Sequence, residues 1–438
     1  MLRPDPDLPF LDVAWSPPEM QEVFNRDVLP RLGLGSDVTD VVIEDMTYWP
    51  RKRCVVLYAI RFGDASGRRS TRAVATFAAD ARLSRKTRSG AAVFVPELRC
   101  LVELFPQDCR LPGLGSLTDV GEVALHLSKR GMTAALSSTR REVHTLQYRP
   151  HQRCVLRYPL KSVDGHWPGD VIGKVYPRLP KATQAWRAHT FLDTQSMSGI
   201  TTPKPLCLLG DLNVVLMEHV EGKPLKEVLN GAVTGEITAE NAARRLAAAM
   251  VALHGTTFPG QEIETLQTRM QLFRSRTFNL HHVAPSLAQQ VDTQLERIAA
   301  LAEGCLLPAP ACIHGECKSS QFVMVDGRMV MLDFDRACLG DPAIDVGHFM
   351  AAVHREAMEG ARIAARDIAG AFLDAYLERS PDRGLETRSR LFQAASLVRM
   401  AVRSLTQRPY LYRDGSDESI PVRLLDEATA CLAAPSRV

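Results

Sequence analysis

The segment Ile313-His314-Gly315-Glu316-Cys317-Lys318-Ser319-Ser320-Gln321-Phe322-Val323-Met324-Val325-Asp326-Gly327-Arg328-Met329-Val330-Met331-Leu332-Asp333-Phe334-Asp335 decides how this chain is read. Two apolar runs flank Asp326-Gly327, a dipeptide that tolerates the positive backbone angles of a two-residue hairpin turn. The segment therefore reads as a β-hairpin. Glu316 and Gln321 stand five residues apart before it, and Asp333 and Asp335 close it. Gly340-Asp341-Pro342 and Asp345 follow.

Outward from the hairpin the pattern is helical. Thr238 suits the N-cap of a helix over AENAARRLAAAMVALH, which Gly255 ends. Pro285 suits the first turn of another helix, running to about residue 303. Residues 361–379 and 386–407 carry the same periodicity.

The N-terminal half repeats itself. Residues 48–58, YWPRKRCVVLY, match residues 148–158, YRPHQRCVLRY, with Tyr48/Tyr148, Pro50/Pro150, Arg53/Arg153, Cys54/Cys154, Val55/Val155 and Tyr58/Tyr158 coinciding. A polar turn (FGDASGRR; SVDGHWPGD) and a short apolar run (AVATFA; VIGKVY) follow each copy, so both read as strand, turn, strand. LVELFPQDCRLPGL in the first copy loosely parallels VVLMEHVEGKPL in the second. Only the second copy holds a lysine in its last run, Lys174.

Composition narrows the class. The 438 residues are 45% apolar and 24% charged, ordinary values for a soluble globular protein. A net charge of +3 is too small to argue for nucleic acid or an anionic membrane. No apolar run is long enough for a membrane span, and the start MLRPDPDLPFLDVAW does not read as a signal peptide. Ten cysteines without a CxxC pair read as reduced thiols in a cytoplasmic protein, not as zinc ligands.

The residues from His314 to Asp345 carry a family resemblance. The chain resembles the aminoglycoside phosphotransferase, choline kinase and homoserine kinase superfamily, whose members carry HGD-x-x-x-x-N, then D-F/W-D/E, then in many cases GDP-x-x-D. Every spacing is kept here, over roughly residues 140 to 410, but Glu316 stands for the Asp and Gln321 for the Asn. The resemblance implies an α+β, bilobal protein-kinase-like fold with a β-rich N-lobe and a helical C-lobe, preceded by a degenerate N-lobe-like repeat. The divisions expected are 1–120 for the lysine-less repeat, 121–220 for the N-lobe and 221–438 for the C-lobe. The implied activity is transfer of the ATP γ-phosphate to a hydroxyl of a small molecule, assisted by Mg²⁺. Phosphoryl transfer needs a carboxylate near the attacking hydroxyl and cations on the phosphate oxygens. The resemblance accordingly makes Glu316 the catalytic carboxylate and Gln321 and Asp333 metal ligands, with Asp335 a second-shell or metal contact. His314 and Asp345 take structural roles, and Lys318 can contact the transferred phosphate.

By the same resemblance Lys174 meets the α- and β-phosphates. Arg153 lies in the loop over them, and Met217, Glu218 and Val220 belong to the connecting segment whose backbone meets adenine. Kinases of this type pair the lysine with a Glu on the next helix. No Glu lies between Lys174 and the connecting strand, which leaves Asp193 as a substitute and keeps a second reading alive, a pseudokinase or nucleotide-binding regulatory protein. Glu and Gln each add a methylene, which displaces the functional oxygen by about 1 Å unless the backbone compensates. From residue 351 onward 12 acidic residues meet 13 basic ones, which argues mildly against a polycationic acceptor. The composition and the resemblance lead to no nucleic acid or membrane partner, and leave the oligomeric state open.

Overall fold

The two matching segments open two five-stranded antiparallel sheets of one topology. In the computed structural model, which describes residues 2–35, 37–63, 69–79, 92–136, 142–195, 197–231, 237–259, 263–412 and 419–433, the first sheet contains β1 (Val38–Trp49), β2 (Arg53–Phe62), β3 (Arg69–Ala78), β4 (Ala92–Val95) and β5 (Cys100–Leu104). The second contains β6 (His144–Arg149), β7 (Arg153–Tyr158), β8 (Val171–Val175), β9 (Pro205–Leu209) and β10 (Val214–Glu218). Their orders are β1-β2-β3-β5-β4 and β6-β7-β8-β10-β9. The turn expected in FGDASGRR lies partly outside the described residues.

The duplication runs deeper than the strands. Asp5 accepts from Tyr48 Oη (2.6 Å) and from the Arg51 amide (2.7 Å). Asp108 accepts from Tyr148 Oη (2.9 Å) and the His151 amide (2.8 Å) in the same way. Arg51 and His151 both adopt left-handed backbone angles, φ 61° and 63°. Tyr58 and Tyr158 each donate to a carbonyl of the short helix ahead of their sheet, Ala14 and Leu117. The tyrosines are buried, and a hydrogen bond from a buried hydroxyl to a carboxylate is worth about 1.5–3 kcal/mol. Both units thus begin at an Asp-x-x-Leu-Pro-x-Leu sequence, Asp5–Leu11 and Asp108–Leu114, followed by a helix, α1 (Pro17–Val23) and α2 (Val120–Ser128). Leu111, Leu114, Leu117, Val123 and Leu127 pack with Tyr148, Leu156 and Tyr158 of the second sheet.

Strand alternation decides what each face of the first sheet does. Cys54, Val56, Tyr58 and Ile60 point into a core shared with the C-terminal helices. Val55, Leu57 and Val74 point the other way, into the core of the second unit. Register places Thr76 opposite Val55, where Lys174 stands opposite Val155 in the second unit. The face that carries Lys174 in the second sheet is therefore an apolar packing face in the first.

After α3 (Leu179–Asp193) and β10 the chain enters a helical lobe. It comprises α4 (Ala239–His254), α5 (Leu266–Thr277), α6 (Pro285–Ala302), α7 (Ala343–Met358), α8 (Ala365–Leu377), α9 (Leu385–Gln407) and α10 (Ile420–Ala433). Thr238 caps α4 through the Asn241 amide at 3.2 Å, and Pro285 opens α6. Among them sits the hairpin of β11 (Phe322–Val325) and β12 (Arg328–Met331), turned by Asp326 and Gly327 at φ 47° and 77°. Phe322, Met331 and Phe334 anchor it in a core with α4, α7 and α8.

Candidate active site

Lys174 occupies the middle of β8, between Val155 and Val215, and is only 5% exposed. A buried cation requires a partner. It pairs with Asp333 and, at 2.7 Å, with Asp335. Arg153 Nη1 reaches Asp333 at 3.1 Å and Asp335 at 3.4 Å, and Tyr176 donates its hydroxyl to Asp335 at 2.7 Å. Gln321 completes the group, its Nε2 donating to Asp333 Oδ2 at 3.0 Å. Burial would raise the Asp333 carboxyl, but Lys174 and Arg153 hold it well below the usual carboxylate range. Asp333 sits at φ 63°, a left-handed conformation that costs a non-glycine residue about 1–3 kcal/mol and persists where the surroundings impose it.

The loop ahead of the hairpin is braced from below. Asp345, buried at the start of α7, accepts from the amides of His314 (2.6 Å) and Gly315 (2.9 Å). His254 reaches the same carboxylate at 3.2 Å, and the His314 ring contacts the Leu332 carbonyl at 2.8 Å. Gly315 is at φ +78°, and a Cβ there would lie 2.4 Å from the Arg336 carbonyl, so no other residue fits. Arg269 on α5 donates to the Gly315 carbonyl at 2.8 Å.

Glu316 follows in this loop, where Lys318 stands close enough to act on both its carboxylate and that of Asp333. Lys318, Arg336 and Arg403 stand 3.6, 3.6 and 3.7 Å from its oxygens. Burial opposes ionisation, but Lys318, Arg399 and Arg336 outweigh it and hold the carboxyl far below its ordinary value. None of the three contacts closes to hydrogen-bond length, so both oxygens keep room for an incoming donor.

Where the connecting segment was expected, β10 leads out through Met217 and Glu218 to Val220. The Glu218 and His219 amides are committed to the carbonyls of Lys204 (2.9 Å) and Asp170 (2.8 Å). The Glu218 carboxylate accepts from the Lys204 amide at 3.0 Å. Val220 has no backbone partner for its amide among the described residues. Met217 is buried beside Tyr176, Ala182 and Ala185.

One expectation changes. Asp193 is exposed at the end of α3, and the acids that meet Lys174 are Asp333 and Asp335. Among the buried residues of α3 the polar one is His189, fully buried and edge-on to Phe334 (5.1 Å, 85°). Burial and Lys174 lower its pKa to about 3, so it is neutral. Arg153 and Arg53 part company as well. Arg53 stacks on Trp49 at 4.1 Å, whereas Arg153 serves the aspartates. Sequence reading missed His189, Tyr176, Arg399 and Arg403; only the i, i+4 spacing of the two arginines on α9 was a visible signal.

The family model described as "Phosphotransferase enzyme family" matches residues 161–386. The chain belongs to the phosphotransferase enzyme family. No curated protein matches it significantly. Solved structures similar to this phosphotransferase include a choline/ethanolamine kinase family protein from Mesorhizobium loti, with 15% identity, 68% of this chain and 90% of that chain covered, and a TM-score of 0.46. A thermostable mutant of aminoglycoside phosphotransferase APH(4)-Ia, in a ternary complex with ADP and hygromycin B, shows 12% identity, 71% and 98% coverage, and 0.49. The GDP and kanamycin complex of APH(2")-IIIa shows 16% identity, 66% and 93% coverage, and 0.45. The matched span contains Lys174, Glu316, Lys318, Gln321, Asp333 and Asp335.

The donor set suits a hard divalent cation. Asp333 and Asp335 supply carboxylates and Gln321 an amide, all oxygen chemistry of the kind Mg²⁺ takes. Gln321 now presents its nitrogen to Asp333, and a half-turn of the terminal amide brings in the oxygen.

Proposed function

We propose that this phosphotransferase is an active Mg²⁺-assisted enzyme that moves the γ-phosphate of ATP to a hydroxyl of a small molecule. The observation that carries the reading is the convergence of Lys174, Arg153, Gln321 and Asp335 on Asp333, with ionised Glu316 beside it in the same cleft. Glu316 accepts the hydrogen of the acceptor hydroxyl and aims its oxygen. Lys174, released from the aspartates, binds phosphate oxygens, and Arg153 and Lys318 add positive charge where negative charge accumulates. Asp333, Gln321 and Asp335 would hold Mg²⁺, which would supply positive charge against the phosphate oxygens. The Val220 amide and the carbonyls of the connecting segment bind adenine. We place the start of the N-lobe unit at Asp108, since residues 108–128 complete the core of the second sheet.

The same closed cluster favours a second reading. Lys174 and Arg153 already neutralise both aspartates, and α3 brings a neutral His189 where relatives bring a Glu. A nucleotide-binding regulator would keep this arrangement and never turn over.

Thermal shift with Mg·ATP tests the site, beside an Asp333→Asn variant, with ATP consumption followed in the same samples. A Mg²⁺-dependent rise in Tm that the variant loses, with slow ATP consumption, is the expected result. A shift without consumption under any acceptor supports the regulator. No shift at millimolar Mg·ATP removes the nucleotide site altogether.

A further inference from the structure

The surroundings of Glu316 hold far more positive charge than this one carboxylate can neutralise. Among the described residues Lys318, Arg336 and Arg403 have no other acidic group within ion-pair distance. Arg399, one turn before Arg403 on α9, has no acid within that distance among the described residues. Its neighbour is the His348 ring at 3.3 Å, which burial and Arg399 itself keep neutral. Four cations thus face one carboxylate, a surplus of three positive charges. Burial, the largest cause, pulls Arg399 down to about 9 and Arg403 to about 10. A protein leaves such charges uncompensated where a ligand compensates them.

The cluster also has a floor. Arg336 and Arg399 line a cavity with Ser396 and the Arg269–Glu264 ion pair (2.7 Å), which neutralises itself, and the remaining wall includes Met270, Phe273, Leu295 and Phe392. The cavity lies on the C-lobe side of Glu316, built from α5, α6 and α9. The nucleotide cations Lys174 and Arg153 come from the other lobe.

We infer that the acceptor is an anion: a hydroxyl compound with a carboxylate or phosphate group held by Arg336, Arg399 and Arg403, and an apolar body in the adjoining cavity. This rests on the phosphotransferase reading and names its substrate class. A polycationic acceptor meets repulsion at every one of these groups.

The test uses three probes that differ only in charge: 4-(hydroxymethyl)benzoate, 4-(hydroxymethyl)benzamide and 4-(hydroxymethyl)benzylamine. Each is titrated calorimetrically into the full chain with and without saturating Mg·ADP. The benzoate is expected to bind at least about tenfold more tightly than the amide, equivalent to one charge-assisted contact. The amine is expected to show no binding. Arg399→Gln should lose the preference while Arg399→Lys keeps part of it, and neither should weaken Mg·ADP. Arg399→Gln should not lower the Tm, because it removes a partly buried positive charge that no acid pairs among the described residues. Failure of the benzoate to bind, equal binding of all three probes, or preference for the amine overturns the inference. So does a parallel loss of Mg·ADP affinity in Arg399→Gln, which would assign the cluster to the nucleotide. Anion preference without any Mg·ADP binding supports the anion site and sinks the kinase reading instead.

Discussion

Glu316 shows how a longer side chain is accommodated at one position. Its carboxylate lies among Lys318, Arg336 and Arg403, where it stays ionised in spite of burial. A carboxylate with a lowered pKa is lost as a base only when the pH falls through that low value. Activity should therefore run level from pH 8 down to 5, with no limb at the ordinary glutamate value. Glu316→Gln should cost about 10²–10⁴ in kcat, the usual worth of a positioned base, with the affinity for Mg·ATP unchanged. A rate profile falling near pH 4.5 to 5 would show that the surrounding cations do not lower the Glu316 carboxyl, and a variant with full turnover would remove Glu316 from the chemistry. His189 poses the complementary case. Its two ring nitrogens lack a hydrogen-bond partner among the described residues, and its burial beside Lys174 is tolerable only because the ring is uncharged.

At the level of elements, the turn between β6 and β7 leads directly into Arg153, and it is tied down by residues ahead of the second sheet. His151 Nε2 lies 3.2 Å from Glu103 at the end of β5, and its amide donates to Asp108. Burial opposes the charge, but Cys109, Glu103 and Asp108 raise the His151 pKa to about 9. The folded state therefore binds a proton that the unfolded state releases near 6.5. The resulting stability is complete below that lower value and lost as the pH climbs through about 9. Wild-type Tm should fall by a few degrees between pH 6.5 and 9.5, and the slope should flatten in His151→Gln. Parallel curves for the two proteins would show that the ion pair does not hold the turn. Legibility differed among elements. The hairpin turn, the Thr238 cap and the start of α6 were readable because each depends on one or two residues with strong local preferences. The α3 residue beside Lys174, His189, was not, since it depends on how α3 rotates against β8.

Across the whole molecule, the degenerate repeat joins both lobes. One face of its sheet shares a core with α6, α9 and α10, including Val291, Leu397, Val398 and Leu424, and the other meets the N-lobe unit. It does not add a second nucleotide site, because Val55, Leu57, Val74 and Thr76 fill the face that would have to open. Burial on this scale, at about 25 cal/mol per Å² of apolar surface, makes the unit part of the fold. A chain of residues 108–438 should accordingly aggregate or lose near-UV circular dichroism. A monomeric truncation that unfolds cooperatively and keeps the Mg·ATP shift would show the repeat to be dispensable.

The sequence by itself determined the family, the hairpin with its acids at fixed spacing, and the duplication of the β-unit. All of these lie in short-range patterns: a motif, a turn dipeptide, the alternation of a strand. It even held the Asp-x-x-Leu-Pro-x-Leu start of each unit, Asp5 and Asp108, though that signal is too short to stand out before its hydrogen bonds are seen. Tertiary structure alone decided the partners of Lys174 and Arg153, the inward turn of His189 and the positive charge around Glu316. Lys318, Arg336, Arg399 and Arg403 are scattered over a stretch with nearly balanced charge, and composition averages them away. Only folding brings four of them to one carboxylate, because electrostatic energy depends on distance in space and not along the chain.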